Sequence, residues 1–66
     1  MSYQQLRELP DAVKHHLPEH AQAIFRAAFN SAEAEYHDEE RAFRVAWAAV
    51  KRDYVKGDDG NWHPRG

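Results

Sequence analysis

The chain contains no cysteine. That excludes disulfide staples, thiolate metal ligands and a cysteine nucleophile, and it fits a reducing compartment. No apolar run approaches the roughly 20 residues that cross a bilayer, and no signal-peptide pattern opens the sequence. The expectation is therefore a cytoplasmic chain without membrane insertion. Glycine is confined to the segment after residue 56, and no Gly/Ser-rich linker or low-complexity tract interrupts the rest. A dominant charge sign is missing too. Nine Lys and Arg against eleven Asp and Glu leave a net charge of −2. That excludes nucleic-acid binding through bulk positive charge, while a local basic patch stays open.

Sixty-six residues form one domain at most, and a chain this short buries only about 60 % of its unfolded surface. The expectation is a single domain over 1–66 with an ordered core at about 6–63. The apolar fraction is 42 %, but much of it is alanine. Real burial must come from a few large side chains, among them Leu9, Val13, Leu17, Phe25, Phe29, Trp47 and Val50. Tyr36, Val45, Tyr54 and Trp62 belong to the same candidate set. Each fully buried one contributes about 1.5–3 kcal/mol, which offsets the ordering entropy only narrowly. Nearly every aromatic is thus needed for packing.

Three helices follow from local pattern. Leu9-Pro10-Asp11 and Leu17-Pro18-Glu19 repeat a leucine, a proline and an acid. Proline suits the first position of a helix, and an acid beside it complements the positive N-terminus. Proline also bars Leu17 from the α region, so a first helix of about 10–16 must stop before it. From Pro18 to Tyr36, apolar residues recur at helical spacing: Ala21, Ile24, Phe25, Ala28, Phe29, Ala32 and Tyr36. A third run comprises Phe43, Ala46, Trp47, Val50 and Tyr54, with Asp38 as its cap and Gly57 in the position of a left-handed C-terminal cap. The apolar faces break at His37–Arg41, where charge dominates. The expectation is a hairpin near His37-Asp38, because a small monomer needs both faces to meet. The alternative is one continuous helix, since no Gly or Pro lies between Ser31 and Lys56, and it would require dimerisation to cover the exposed stripe. Residues 1–8 read as extended or loosely ordered. The fold class is mainly all-α: a short N-terminal helix, an antiparallel hairpin of two longer helices, and a C-terminal tail packed back. A small strand pair between the termini follows if Trp62 docks beside Leu6 or Leu9.

The same residues carry a family likeness. Leu9-Pro10 with Val13, Leu17-Pro18 with Ala21-Gln22 and Ile24, Ala28 to Ala32, Val45 to Lys51, and Tyr54 with Trp62 together resemble the ChaB family. The likeness covers roughly 6–63. Familiar bacterial members carry extra polar residues between the two densest blocks. This chain is shorter there, as a surface loop between helices allows. The resemblance implies a regulator of cation transport that associates with a cation/proton antiporter. Some members carry the domain beside a module resembling the nucleic-acid-binding part of a transcription terminator. No catalytic residues are established for the family, so none is carried over.

Several constellations carry chemically suggestive side chains. His16-Leu17-Pro18-Glu19-His20 matches an H-x-x-E-H string, but zinc chemistry needs both imidazoles on one helix face, and Pro18 starts a new helix between them. The acidic run Glu33 to Glu40 lacks the glycine that a calcium loop uses to turn, and reads as a solvated hairpin tip. Asp58-Asp59-Gly60-Asn61 reads as a turn. At 100° per residue, Arg41, Arg44, Lys51 and Arg52 cluster opposite the apolar face of the third helix. This stripe is the candidate interaction surface, and Val45 and Val55 also face outward. Asn30 is a poor mid-helix residue, and its amide suits a tie from the helix to the N-terminal segment or the tail. Trp47 and Trp62 are read as structural aromatics. No nucleophile–base pair assembles, so the expectation is no enzyme, no cofactor and no metal. Two functions stand: a non-enzymatic regulator or adaptor acting through an unknown protein partner, or a nucleic-acid-binding module using the basic stripe.

Overall fold

A computed structural model describes residues 2–65. A 3-10 turn at Leu6–Glu8 leads into α1 (Asp11–His16), α2 (Glu19–Tyr36) and α3 (Glu39–Asp53), followed by β1 (Tyr54–Lys56) and β2 (Trp62–Pro64). Both helix-starting prolines act one residue earlier than expected. Pro10 and Pro18 are N-caps with extended ψ of 149° and 162°. Each carbonyl accepts the first bonds of its helix, Lys14 N donating to Pro10 O at 3.0 Å and Gln22 N to Pro18 O at 2.9 Å. The acids Asp11 and Glu19 then occupy the first helical position, where the dipole favours them. Leu17, held extended at φ −109°, ψ 136° before its proline, stops α1.

The link between α2 and α3 is two residues long. His37 takes the left-handed conformation (φ 54°, ψ 38°) and its N–H closes on Glu33 O at 2.8 Å. Asp38 then caps α3, its carboxylate accepting from Arg41 N at 3.3 Å. The hairpin is antiparallel in register, as two ring contacts show. Phe25 meets Trp47 edge-on at 5.1 Å, and one turn later Phe29 meets Phe43 at 4.8 Å. Small side chains set the closeness of the helices. Ala21 and Ala32 on α2, and Ala42 and Ala46 on α3, are buried beside Phe25, Phe29 and Val50. Ala42 was not among the expected core positions; it lies one step round the helix from Phe43 and is covered because α2 crosses there.

The N-terminal segment is more ordered than its composition suggested. Tyr3 is buried, its ring 4.8 Å from that of Phe29, and the 3-10 turn places Leu6 against the core. One expected core residue, Tyr36, stays at the surface at 44 % exposed, and Val45, a core candidate by size but outward by its helix angle, is 38 % exposed. Tyr36 ends α2 beyond the reach of α3's apolar face, and Val45 points away from the hairpin.

The C-terminal end also departs from expectation. Gly57 does not cap α3, because the helix ends four residues earlier, where Tyr54 turns extended (φ −131°, ψ 153°) to enter β1. The strand pair joins two C-terminal segments rather than the two termini. Tyr54 pairs with Pro64, Val55 with His63 and Lys56 with Trp62, antiparallel. Gly57 and Asn61 close the connecting loop, and Gly60 sits at φ +84°, a conformation that suits glycine. Trp62 accordingly docks on Trp47 rather than beside Leu6 or Leu9, with ring centroids 5.6 Å apart. Arg65 locks the tail back: its main-chain N–H donates to Asp53 O at 2.9 Å and its Nε to Lys51 O at 2.8 Å, satisfying carbonyls at the end of α3. Among the described residues no helix is long and apolar enough to cross a membrane.

Candidate interaction surfaces and family

The four basic residues of the α3 stripe are all exposed and have different surroundings. Arg41 folds over the ring of Tyr36, its guanidinium carbon 4.6 Å from the centroid. Arg44 pairs with Glu40 at 3.1 Å, an exposed i, i+4 contact worth a few tenths of a kcal/mol. These two arginines line a groove of about 510 Å³ with Tyr36, Val45 and Ala48. Lys51, two turns further along the helix from Arg44, lines a second cleft with Trp47, Trp62, Lys56 and His16. Arg52 is exposed and lines neither. The helical-wheel angle placed all four correctly on the outside. It could not show that the β-hairpin brings Lys56 and Trp62 to the cleft that Lys51 lines.

Asn30 holds the N-terminal segment by both halves of its amide. Its Oδ1 accepts from Tyr3 N at 2.8 Å and its Nδ2 donates to Tyr3 O at 2.7 Å. Arg26 adds a bond from Nη1 to the same carbonyl at 3.2 Å. Gln22 acts similarly at the corner, donating from Nε2 to Leu17 O at 2.9 Å and to Lys14 O at 3.2 Å. Burial, and secondarily the charge of Glu39, push the Tyr3 phenol above its ordinary pKa.

The histidines separate. His16 ends α1 and approaches Asn61 Oδ1 through Nδ1 at 3.2 Å, while His20 lies on α2 with its ring 6.4 Å from that of Tyr54. His63 meets Asp59 at 3.1 Å across the hairpin loop. The Asp59 carboxyl is held below the usual range, first by the N–H of Asn61 and then by His63. Among the described residues no three His, Cys, Asp or Glu side chains converge as a metal site would require. Nor is any polar or charged side chain among them buried in the core. The sequence set Lys56 at the edge of the basic stripe and His16 in the H-x-x-E-H string, but it did not bring either beside Trp47 and Trp62. They reach the cleft from a strand and from α1, so no local pattern marks the meeting.

These features define a small helical domain with a clamped N-terminus and a C-terminal β-hairpin. The chain belongs to the ChaB family, whose profile matches residues 9–65. Proteins from Escherichia coli K12 and Shigella flexneri, both named "Putative cation transport regulator ChaB", are 49 % identical to it over 75 aligned positions. The match covers 98 % of this chain and 99 % of each relative. An NMR solution structure described by the same name superposes with a TM-score of 0.87 at 49 % identity, covering 97 % of this chain and 99 % of that one.

Proposed function

We propose that the chain is a non-enzymatic regulator or adaptor, acting as one domain through protein contacts within a cytoplasmic, cation-transporting system. The near full-length match to proteins named as cation transport regulators carries the reading. The geometry supports it in one respect. The end of the helical hairpin displays Tyr36 and Val45 beside Arg41 and Arg44, and exposed apolar side chains rimmed by charge suit contact with a protein surface. The partner is a component of a cation/proton antiport system. A nucleic-acid-binding role for Arg41, Arg44, Lys51 and Arg52 draws less support, because Arg41 is folded over Tyr36 and Arg44 is already paired with Glu40.

The test is cation/proton exchange in everted membrane vesicles from cells with and without the chain. Loss of the chain is expected to change the exchange rate, and wild-type chain to restore it. A Val45→Asp/Arg44→Glu variant that keeps the wild-type melting temperature is expected not to restore it. Identical exchange in the presence and absence of the chain refutes the proposal.

A further inference from the structure

The cleft between α1, the end of α3 and the β-hairpin has a volume of about 390 Å³, within the range of small-molecule sites. Its walls combine two kinds of group. Trp47 and Trp62 lie 5.6 Å apart at 31° and are each only partly buried, which leaves indole surface facing the recess. Lys51 and Lys56 line the same recess. No carboxylate lines it, and among the described residues neither ammonium group has an ion-pair partner. The nearby loop acid Asp59 is engaged by His63 and by the N–H of Asn61. His16 completes the wall. Its Nδ1 lies 3.2 Å from Asn61 Oδ1.

These groups specify a ligand with a flat aromatic part and an anionic part. Two unopposed lysines match a phosphate monoester, which carries nearly two negative charges at neutral pH, better than a singly charged carboxylate. An indole face accepts any nucleobase by stacking, without regard to its hydrogen-bonding edge. We propose that this cleft binds a nucleoside monophosphate, the base against Trp62 and the phosphate between Lys51 and Lys56. The inference stands on the cleft alone and does not depend on the cation-transport reading.

The molecule carries its own reporter, because its two tryptophans both line the cleft. Titration of the intact chain with AMP, GMP, CMP and UMP at low ionic strength is expected to quench tryptophan fluorescence saturably. The affinities should differ little among the four bases. Lys51→Ala and Lys56→Ala are each expected to weaken binding about tenfold, the usual effect of losing one charge-assisted contact. Both side chains are exposed, so melting temperatures should be unchanged. Followed by calorimetry, Trp62→Ala is expected to lose binding and Trp62→Phe to retain most of it. No saturable response to any of the four nucleotides overturns the proposal. So does inorganic phosphate binding as tightly as AMP, or full affinity in the double lysine variant. Binding of a single-stranded oligonucleotide without binding of monophosphates also overturns it, and would assign the cleft to a nucleic-acid strand.

Discussion

Replacing Asn30 by alanine removes the two hydrogen bonds that fasten the first residues of the chain to α2, and its cost can be worked from the geometry. Each bond lies at 2.7–2.8 Å and contributes about 1 kcal/mol net. Tyr3 O keeps a partner in Arg26, whereas Tyr3 N–H loses its acceptor in a partly buried setting. The total is about 2 kcal/mol, a large share of the roughly 3–10 kcal/mol available to a domain of this length. At 4–8 °C per kcal/mol, thermal unfolding followed by far-UV circular dichroism should shift down by about 8–16 °C. The loss should begin locally. Hydrogen exchange at the Tyr3 amide should become fast while amides in the middle of α2 and α3 remain protected under native conditions. Asn30→Asp should be no better, since it keeps the acceptor for the N–H but turns a carboxylate oxygen on the Tyr3 carbonyl. A melting temperature within about 2 °C of wild type, with the Tyr3 amide still protected in Asn30→Ala, would refute the reasoning.

Two further outcomes follow from local geometry. His37→Gly should raise the melting temperature by about 2–8 °C, because the left-handed conformation at φ 54° strains any side-chain-bearing residue by about 1–2 kcal/mol, less the entropy that glycine loses. A fall in melting temperature would contradict this. The raised pKa of Tyr3 means that the fold favours the neutral phenol. Its contribution is therefore complete below the ordinary tyrosine range and is lost as pH rises through the raised value. Tyr3→Phe should accordingly lose less stability than wild type when urea unfolding is compared at neutral and strongly alkaline pH, and equal losses would count against it.

Of the candidate interaction surface, the sequence revealed the outward direction of Arg41, Arg44, Lys51 and Arg52, because direction on a helix depends only on position along it. It did not reveal their surroundings. Arg41 found Tyr36, which lies across the turn, and Lys51 found Trp62 and Lys56, which arrive from the strands. Tyr3 escaped notice as a core residue because a lone tyrosine in a polar segment has no periodicity to mark it. What buries it is an amide 27 residues away.

The helices, their stops and their apolar faces were legible because each rests on interactions among residues within about four positions: proline before a turn, an acid at a dipole, a repeat of 3.6. Even the break at His37–Asp38 announced itself as a lapse in that repeat. The rest was decided by three-dimensional closure. That α3 gives way to a strand at Tyr54 instead of running on to Gly57 depends on β2 returning to pair with β1, and on Arg65 capping the carbonyls left behind. The cleft, likewise, exists only because His16, Trp47 and Trp62 come together from three separate elements. Such meetings are set by how packed elements cross, a property that no window along the chain contains.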